Sequence, residues 1–430
     1  MSKIKQARAR QVLDSRGNPT VEAEITTEDG VFIASVPSGA STGFHEALEL
    51  RDGNSKKYNG KGVLKAVDNA NKKIAPLIKG MNPAEQAKID KKIIEADGTA
   101  NKRKFGANAV LAVSMAVCKA GAAAKKVPLY KHIADLGGNK KMVLPVPMVL
   151  VLEGGKHADQ SSDLQEFMVM PYKAKSFSEA IRQGAEIYHS IGKVLKKQGF
   201  NINVGYEGAY GPSLGSNEKV FKIIVEGIKK AGYKPGEDAL IAIDAAASEF
   251  FKGGKSNKYK LDVDGRTLDS KGMAKLYSDL AGKYPIISIE DGLSEDDWKG
   301  WALLMEKLGG IIQIVGDDLT VTNVKRIQKA IDVGAINSVL IKVNQIGTVT
   351  ETIDAVNLAK RNKMTAVVSH RSAETEDTFI ADLAVGMGTG QCKFGATARG
   401  ERTAKYNRLL RIEEELGKKA VFAGKNFRNP

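Results

Sequence analysis

Six apolar runs in the second half of the chain end in ionisable residues. LIAIDAAA leads to Asp244, IISIED to Glu290 and IIQIVGDD to Asp317. SVLIKVNQ leads to Lys342, TAVVSHRS to His370 and Arg371, and GQCKFGA to Lys393. Asp244, Glu290 and Asp317 are hard oxygen donors with no cysteine and no paired histidines beside them, which suits Mg2+ rather than Zn2+. Taken singly, each carboxylate reads as a helix cap or a surface group. Three of them at successive strand ends, opposite two lysines, read as a metal site. A buried carboxylate is costly unless something positive pairs with it, and Mg2+ would be that partner. The adjacent Asp291 and Asp318 are expected to point to the other side and act from behind. Lys342 beside bound cations is expected to have a lowered pKa and to serve as a base. Lys393 and Arg371 offer positive charge to an anionic substrate. The Gly-rich VPSGASTG at 36–43 resembles a phosphate-cradling turn but lacks the Gly-Lys-Ser/Thr ending of a nucleotide loop. It is expected to lead into a helix over HEALELRD. LDVDG at 261–265 has incomplete calcium-loop spacing and reads as a plain turn.

The elements that must position these residues are apolar strands about one βα unit apart. Glu290, Asp317, Lys342, His370 and Lys393 are spaced 27, 25, 28 and 23 residues apart. Continuous apolar strands joined by helices imply a parallel sheet covered on both faces. Eight such units close into a (β/α)8 barrel, whose strand ends would bring these distant residues to one mouth. SFSEAIRQGAEIYHSIGKVLKKQG opens with a capping box, Ser176 with Glu179, and Ile181, Ala185, Tyr188, Ile191 and Leu195 mark one helical face. Residues 1–136 read as a separate α+β unit. TVEAEITTEDGVFIASV alternates in period two around Asp29-Gly30, a hairpin signal, and three helical patterns follow it. Leu136-Gly137-Gly138-Asn139-Lys140-Lys141 separates this unit from a barrel over 137–430.

The chain has 430 residues, too many for one ordinary core, and its 42% apolar and 27% charged content fits a soluble protein with two domains. The two cysteines, Cys118 and Cys392, form no disulfide framework, so a reducing cytoplasm is expected. No secretory signal is visible, and the uncharged stretch Phe105 to Cys118 is too short to span a bilayer, which takes about 18–20 residues. No membrane insertion is expected. The net charge of +15 would attract anions or nucleic acid. Its lysines are scattered, without the interleaved aromatics of a nucleic-acid site, so a solvated basic surface is expected and a nucleic-acid partner is not.

LDSRGNPTVE, VPSGASTG, EALELRD, GANAVLAVSMA, QEFM, SIED, DDLTVTN, KVNQIGT, SHRSAETEDTFIADL and RIEEEL together resemble the enolase (phosphopyruvate hydratase) family, essentially from end to end. The resemblance implies an N-terminal α+β capping domain on a barrel that starts ββαα and continues with βα units. It implies reversible dehydration of 2-phosphoglycerate to phosphoenolpyruvate, in glycolysis and gluconeogenesis, by a cytoplasmic enzyme using two Mg2+ ions. By matched motif, Asp244, Glu290 and Asp317 would hold the first Mg2+ and Ser41 would bind the second as its loop closes. Lys342 would remove the C2 proton, with Lys393 stabilising the resulting charge. Glu207, in NVGYEGAYGP, would protonate the departing hydroxyl, aided by Glu166 of QEFM. Arg371 and Ser372 would grip the phosphate, His370 would flank it, and His157 and Gln165 would complete the pocket. A homo-oligomer, a dimer or an octamer built as a ring of dimers, is implied as well.

The chain departs from the family pattern around this acid. YEGAYGP, with Tyr206, Ala209 and Gly211, replaces DEGGFAP, Glu153 stands where Asn is usual, and Ala373 replaces Gly. Loss of a neighbouring carboxylate at 206 would lower the pKa of Glu207, while burial against Tyr206 would raise it. The two effects oppose each other, and the proposed proton-transfer and metal groups are all retained.

Overall fold

The computed structural model describes residues 2–40, 42–158, 161–253 and 257–428. Strands β1 (Gln6–Leu13), β2 (Pro19–Thr26) and β3 (Val31–Ser35) form an antiparallel meander, with the β2–β3 turn at Asp29-Gly30. The period-two pattern is half-buried because one sheet face packs on the helix Ala107–Ala124. That helix has the length and apolar content of a membrane span, but 83% of its apolar window is buried inside the fold, as a core helix requires. Helix Leu129–Gly137 ends this part of the chain.

The rest is a closed barrel. β4 (Val146–Pro147) and β5 (Val149–Glu153) continue one another across Met148, and they stand at the two ends of a single nine-strand order. β6 (Glu166–Met170) pairs antiparallel with β5 and with β7 (Leu240–Asp244). After β7 a small outer antiparallel sheet is formed by β8 (Phe251–Lys252), β9 (Lys258–Leu261) and β10 (Arg266–Leu268). Parallel pairing then runs from β7 through β11 (Ile286–Glu290), β12 (Gln313–Gly316), β13 (Ser338–Ile341), β14 (Thr365–Ser369) and β15 (Gln391–Lys393), and on to β4. Two helices, Phe177–Lys197 and Asn217–Lys230, separate β6 from β7. The order is the ββαα(βα)6 arrangement expected from the sequence.

Two local expectations change. HEALELRD is not helical: Ala47 N–H donates to Gln345, Leu48 N–H to Asn101, and Leu48 C=O accepts from Ala107. These tertiary partners take the backbone groups that a helix would have paired internally, so contact overrides propensity. The helix Phe177–Lys197 is capped by Ser176 Oγ accepting from Glu179 N at 3.1 Å. Its buried stripe runs through Ala180, Gly184, Ile187 and Ile191, leaving Ile181 and Ala185 half-buried. A Cβ at Gly184 would lie 2.8 Å from Val149 of β5, so the closest approach to the barrel falls at Gly184.

The barrel floor is polar and largely paired, with Ser338 Oγ left without a partner. Gln313 and Gln391 exchange amide hydrogen bonds of 3.0 and 2.9 Å, with Ser288 and Thr365 completing the network. Gln313→Leu should destabilise the protein by about 1–3 kcal/mol, because the buried Gln391 Oε1 loses the donor Gln313 Nε2. Urea unfolding would register this as a lower midpoint, and an unchanged midpoint would contradict it.

Candidate active site

Strand pairing sets the acids side by side. In register across four adjacent strands lie Glu153 of β5, Glu166 of β6, Asp244 of β7 and Glu290 of β11. Because β6 runs against its neighbours, its first residue, not its last, stands at the carboxyl rim of the barrel. Lys393, at the end of β15 on the far wall, reaches across: its Nζ is 2.8 Å from Asp244 Oδ2, 2.7 Å from Glu290 Oε1 and 3.1 Å from Glu166 Oε2. Lys342, just past β13, contacts Asp317 Oδ2, whose other oxygen accepts from Gln345 at 2.8 Å.

One cavity is lined by His157, Gln165, Glu166, Glu207, Asp244, Asp317, Lys342, His370, Arg371, Ser372 and Lys393, with Ala246 and Ser369. Glu290 is wholly buried behind Lys393. Ser41 lies outside the described residues. The residues beside it in the 36–43 loop are docked on the barrel: Ser38 and Ala373 exchange backbone hydrogen bonds, and Ala40 N–H donates to Ser372 Oγ at 2.6 Å. Further along, Phe44 N–H donates to Glu295, and His45 lies 3.1 Å from Asp296.

Asp291 and Asp318 stay out of the cavity lining, as expected, but remain close to Asp317. Oxygens of Asp291, Asp317 and Asp318 lie within 4.8 Å of one another. Asp291, at φ +43°, accepts the backbone N–H groups of Asp317 and Asp318 at 2.9 and 3.0 Å. This strained bend folds its carboxylate back under the neighbouring strand end. Burial and then Asp317 push Asp291 well above the usual carboxylate range, and the same two causes raise Asp318. Glu290 is also pushed well up, by burial and by Asp244.

The lowered pKa expected of Lys342 beside bound cations belongs to the metal-loaded site; among the protein's own groups the balance runs the other way. Burial does work against its charge, but contact with Asp317, and Glu290 beyond it, outweighs burial and raises the ammonium above its ordinary value. Asp244 is held low: burial opposes its charge, and Lys393 overcomes it.

Next to Asp244 and Lys393, ligand atoms of His157, Glu166 and Glu207 gather within 4.8 Å of one another. Burial and the charge of Glu207 push Glu166 well above its usual value. Burial would raise Glu207 too, but His370 and His157, with Arg402 behind them, hold it well below. Glu207 Oε2 sits 3.0 Å from His370 Nε2. Arg402, a buried residue that the sequence reading missed, approaches His370 Nδ1 to 2.6 Å. Arg402 cannot accept a proton, so Nδ1 must be the acceptor and Nε2 must carry the hydrogen facing Glu207. Arg402 also donates to the carbonyls of Arg371 and Ser372. In sequence it is one cation in a basic helix, RTAKYNRLLR, and nothing local distinguishes it from a solvated residue. Glu46 was missed as well: both its oxygens accept from Arg371, at 3.0 Å each, with Asn344 accepting at 3.1 Å.

The expected donors are of the type a hard divalent cation takes, although among the described residues the carboxylates that converge within 4.8 Å are those of Asp291, Asp317 and Asp318, with Asp244 and Glu290 held on Lys393 instead. Asp244, Glu290 and Asp317 offer oxygens only, and Glu290 Oε2 is buried without a hydrogen-bond partner. Acidic groups at this rim outnumber Lys342 and Lys393, so additional positive charge would be favourable there. His157 Nδ1 and Gln165 Oε1 are likewise buried without hydrogen bonds and belong to residues lining the same cavity, as atoms awaiting a polar ligand would.

Two family models match the chain. One, described as the enolase N-terminal domain, covers residues 4–133, and the other, the enolase C-terminal TIM barrel domain, covers 141–430.

Burial, with Arg402 beside it, pushes His370 down to about 4. The folded chain therefore binds fewer protons than the unfolded chain between about pH 4 and the ordinary histidine value near 6.5. His370 thus makes stability fall as pH drops through that window and adds nothing above it. His370→Asn, which cannot protonate, should lose less stability than the parent between pH 6.5 and 4.5 in urea unfolding. Equal losses would show that His370 charges freely in the folded protein.

Proposed function

The chain belongs to the enolase family, and from that premise we propose that it interconverts 2-phosphoglycerate and phosphoenolpyruvate as a Mg2+-dependent hydro-lyase of glycolysis and gluconeogenesis. The observation that carries the reading is that one cavity brings two lysines, Lys342 and Lys393, together with two acids, Glu166 and Glu207. An elimination needs a base at the carbon that loses its proton and an acid at the oxygen that leaves.

Asp244, Glu290 and Asp317 would hold Mg2+, and Ser41 a second ion. Bound Mg2+ supplies electrostatic stabilisation for the negative charge that builds on the substrate carboxylate. Lys342 takes the C2 proton in its neutral form, which requires Asp317 to be turned to another partner. Lys393 places a fixed positive charge where the enolate develops. The C3 hydroxyl leaves as water with a proton held by the Glu166–Glu207 pair. In that pair Glu166 is the member driven towards its protonated form, and Glu207 delivers the proton after taking it up from Glu166. Neutral His157 and Gln165 line the same cavity and orient the hydroxyl. Arg371 and Ser372 bind the phosphate, with His370 beside it. Glu46 already fixes the guanidinium plane of Arg371, so its orientation precedes binding.

The two cysteines are buried and unpaired, which supports a reducing cytoplasm. Assembly into a homo-oligomer, a dimer or an octamer, belongs to the same proposal on family grounds. A second reading, an enolase-like protein that mainly binds RNA or an acidic surface, draws on the +15 charge and the altered loop at Tyr206. Against it, surface lysines such as Lys72, Lys131 and Lys275 are already paired with acids one helical turn away.

Purified protein given 2-phosphoglycerate and Mg2+ should generate phosphoenolpyruvate absorbance and stop when a chelator is added. Lys342→Ala should lower kcat by about 10²–10⁴-fold, the usual range for a general base. Normal turnover in that variant would exclude Lys342 as the base. No turnover by the parent, with salt-sensitive RNA binding instead, would favour the second reading.

A further inference from the structure

Glu153 is a buried acid with no part in the chemistry above, and it belongs to the same register row as Glu166, Asp244 and Glu290. Lys393 meets those three acids and not Glu153. The partners of Glu153 are backbone groups. Its Oε1 accepts from Glu207 N at 3.1 Å and from Ala209 N at 2.9 Å. The two strands of backbone are joined beside it: Glu153 N–H donates to Tyr210 C=O at 2.8 Å, and Tyr210 N–H to Val151 at 3.2 Å. Gly205 leaves the room this requires, since a Cβ there would lie 2.2 Å from Glu153 Oε2.

We propose that Glu153 is a positioning residue, a side-chain acceptor that fixes the backbone on either side of Gly208 and thereby aims the Glu207 carboxyl into the mouth. The other ties on this loop act elsewhere: Tyr188 OH holds Gly208 C=O at 2.8 Å, Arg402 reaches Tyr206 C=O at 3.3 Å, and Ala396 N–H donates to Glu207 C=O at 3.1 Å. They restrain carbonyls, whereas Glu153 alone among these side chains takes the N–H groups of Glu207 and Ala209. Two buried N–H groups without an acceptor would be costly, so the loop must move if Glu153 is withdrawn. Burial, and then Glu207, push Glu153 up to about 8, while Arg402 acts in the opposite sense. A carboxyl driven towards its protonated form in this position presents an acceptor oxygen like that of an amide. Reach and an acceptor atom, rather than charge, are what the position requires.

This inference rests on the proposed role of Glu207, and its test separates the two. Glu153→Gln keeps length and an acceptor oxygen but not the ionisable group. Glu153→Asp keeps the carboxyl but withdraws it by one C–C bond, about 1.5 Å. Kinetics with 2-phosphoglycerate and amide hydrogen exchange over 204–211 would be measured for both and for Glu153→Ala. In the Asp and Ala variants, kcat should fall at least about tenfold with KM changed less than about threefold, and the Glu207 and Ala209 amides should exchange at least about tenfold faster. Glu153→Gln should restore both to within about threefold of the parent. The proposal is overturned if those amides stay protected in the Asp variant, or if Asp retains kcat while Gln loses it. Should the Ala variant fail to fold, the Asp and Gln pair still decides. Exchange reads the clamp without turnover, so an inactive parent would count against the enolase reading and leave this measurement intact.

Discussion

Acids crowded at a barrel rim have to be neutralised, and most of the architecture around this site follows from that requirement. Glu166, Asp244 and Glu290 come into register simply because β6, β7 and β11 are neighbours. Water cannot reach Glu290, and three adjacent carboxylates in a dry interior would repel one another strongly. Lys393 answers from the opposite wall, and Asp244 ionises while Glu290 and Glu166 are pushed towards their protonated forms. Closure of the barrel makes this possible, since only a closed sheet places the end of β15 across from the end of β7.

The capping domain contributes more than a lid. Glu46 lies in its irregular 42–49 segment and holds Arg371, which follows β14 of the barrel. Ser38 and Ala40 fasten the same loop to Ala373 and Ser372. The segment cannot be a helix and also make these contacts. Its loss of helical structure is therefore part of how the two domains share one site. A buried polar patch fixes their docking elsewhere: Asp90 accepts from Thr350 and Ser114, and Lys102 pairs with Glu351.

Protonation is distributed by position rather than by residue type. Glu207 and Glu166 belong to one tight group with His157, yet their pKa values are driven in opposite directions. The difference is that Glu207 faces His370, whose tautomer is set by Arg402, a residue that never reaches the cavity wall. Paired acids with divergent proton affinities are a common basis for assigning acid and base roles. Here the divergence is produced by the helix Gly400–Leu416, which carries Arg402 and lies far along the chain.

The barrel was legible in the sequence because each strand is an apolar run buried on both faces and ended by a polar residue, a pattern local to about eight residues. The strand-end residues Asp244, Lys342 and Lys393 were legible for the same reason. The acid row through Glu153 and Glu166 was not, since it depends on the antiparallel turn of β6, which puts the first residue of that strand at the rim. Arg402, Glu46 and the upward pKa of Lys342 were decided only by tertiary structure. Each depends on which charge stands nearest in space, and spacing along a chain carries no record of that distance.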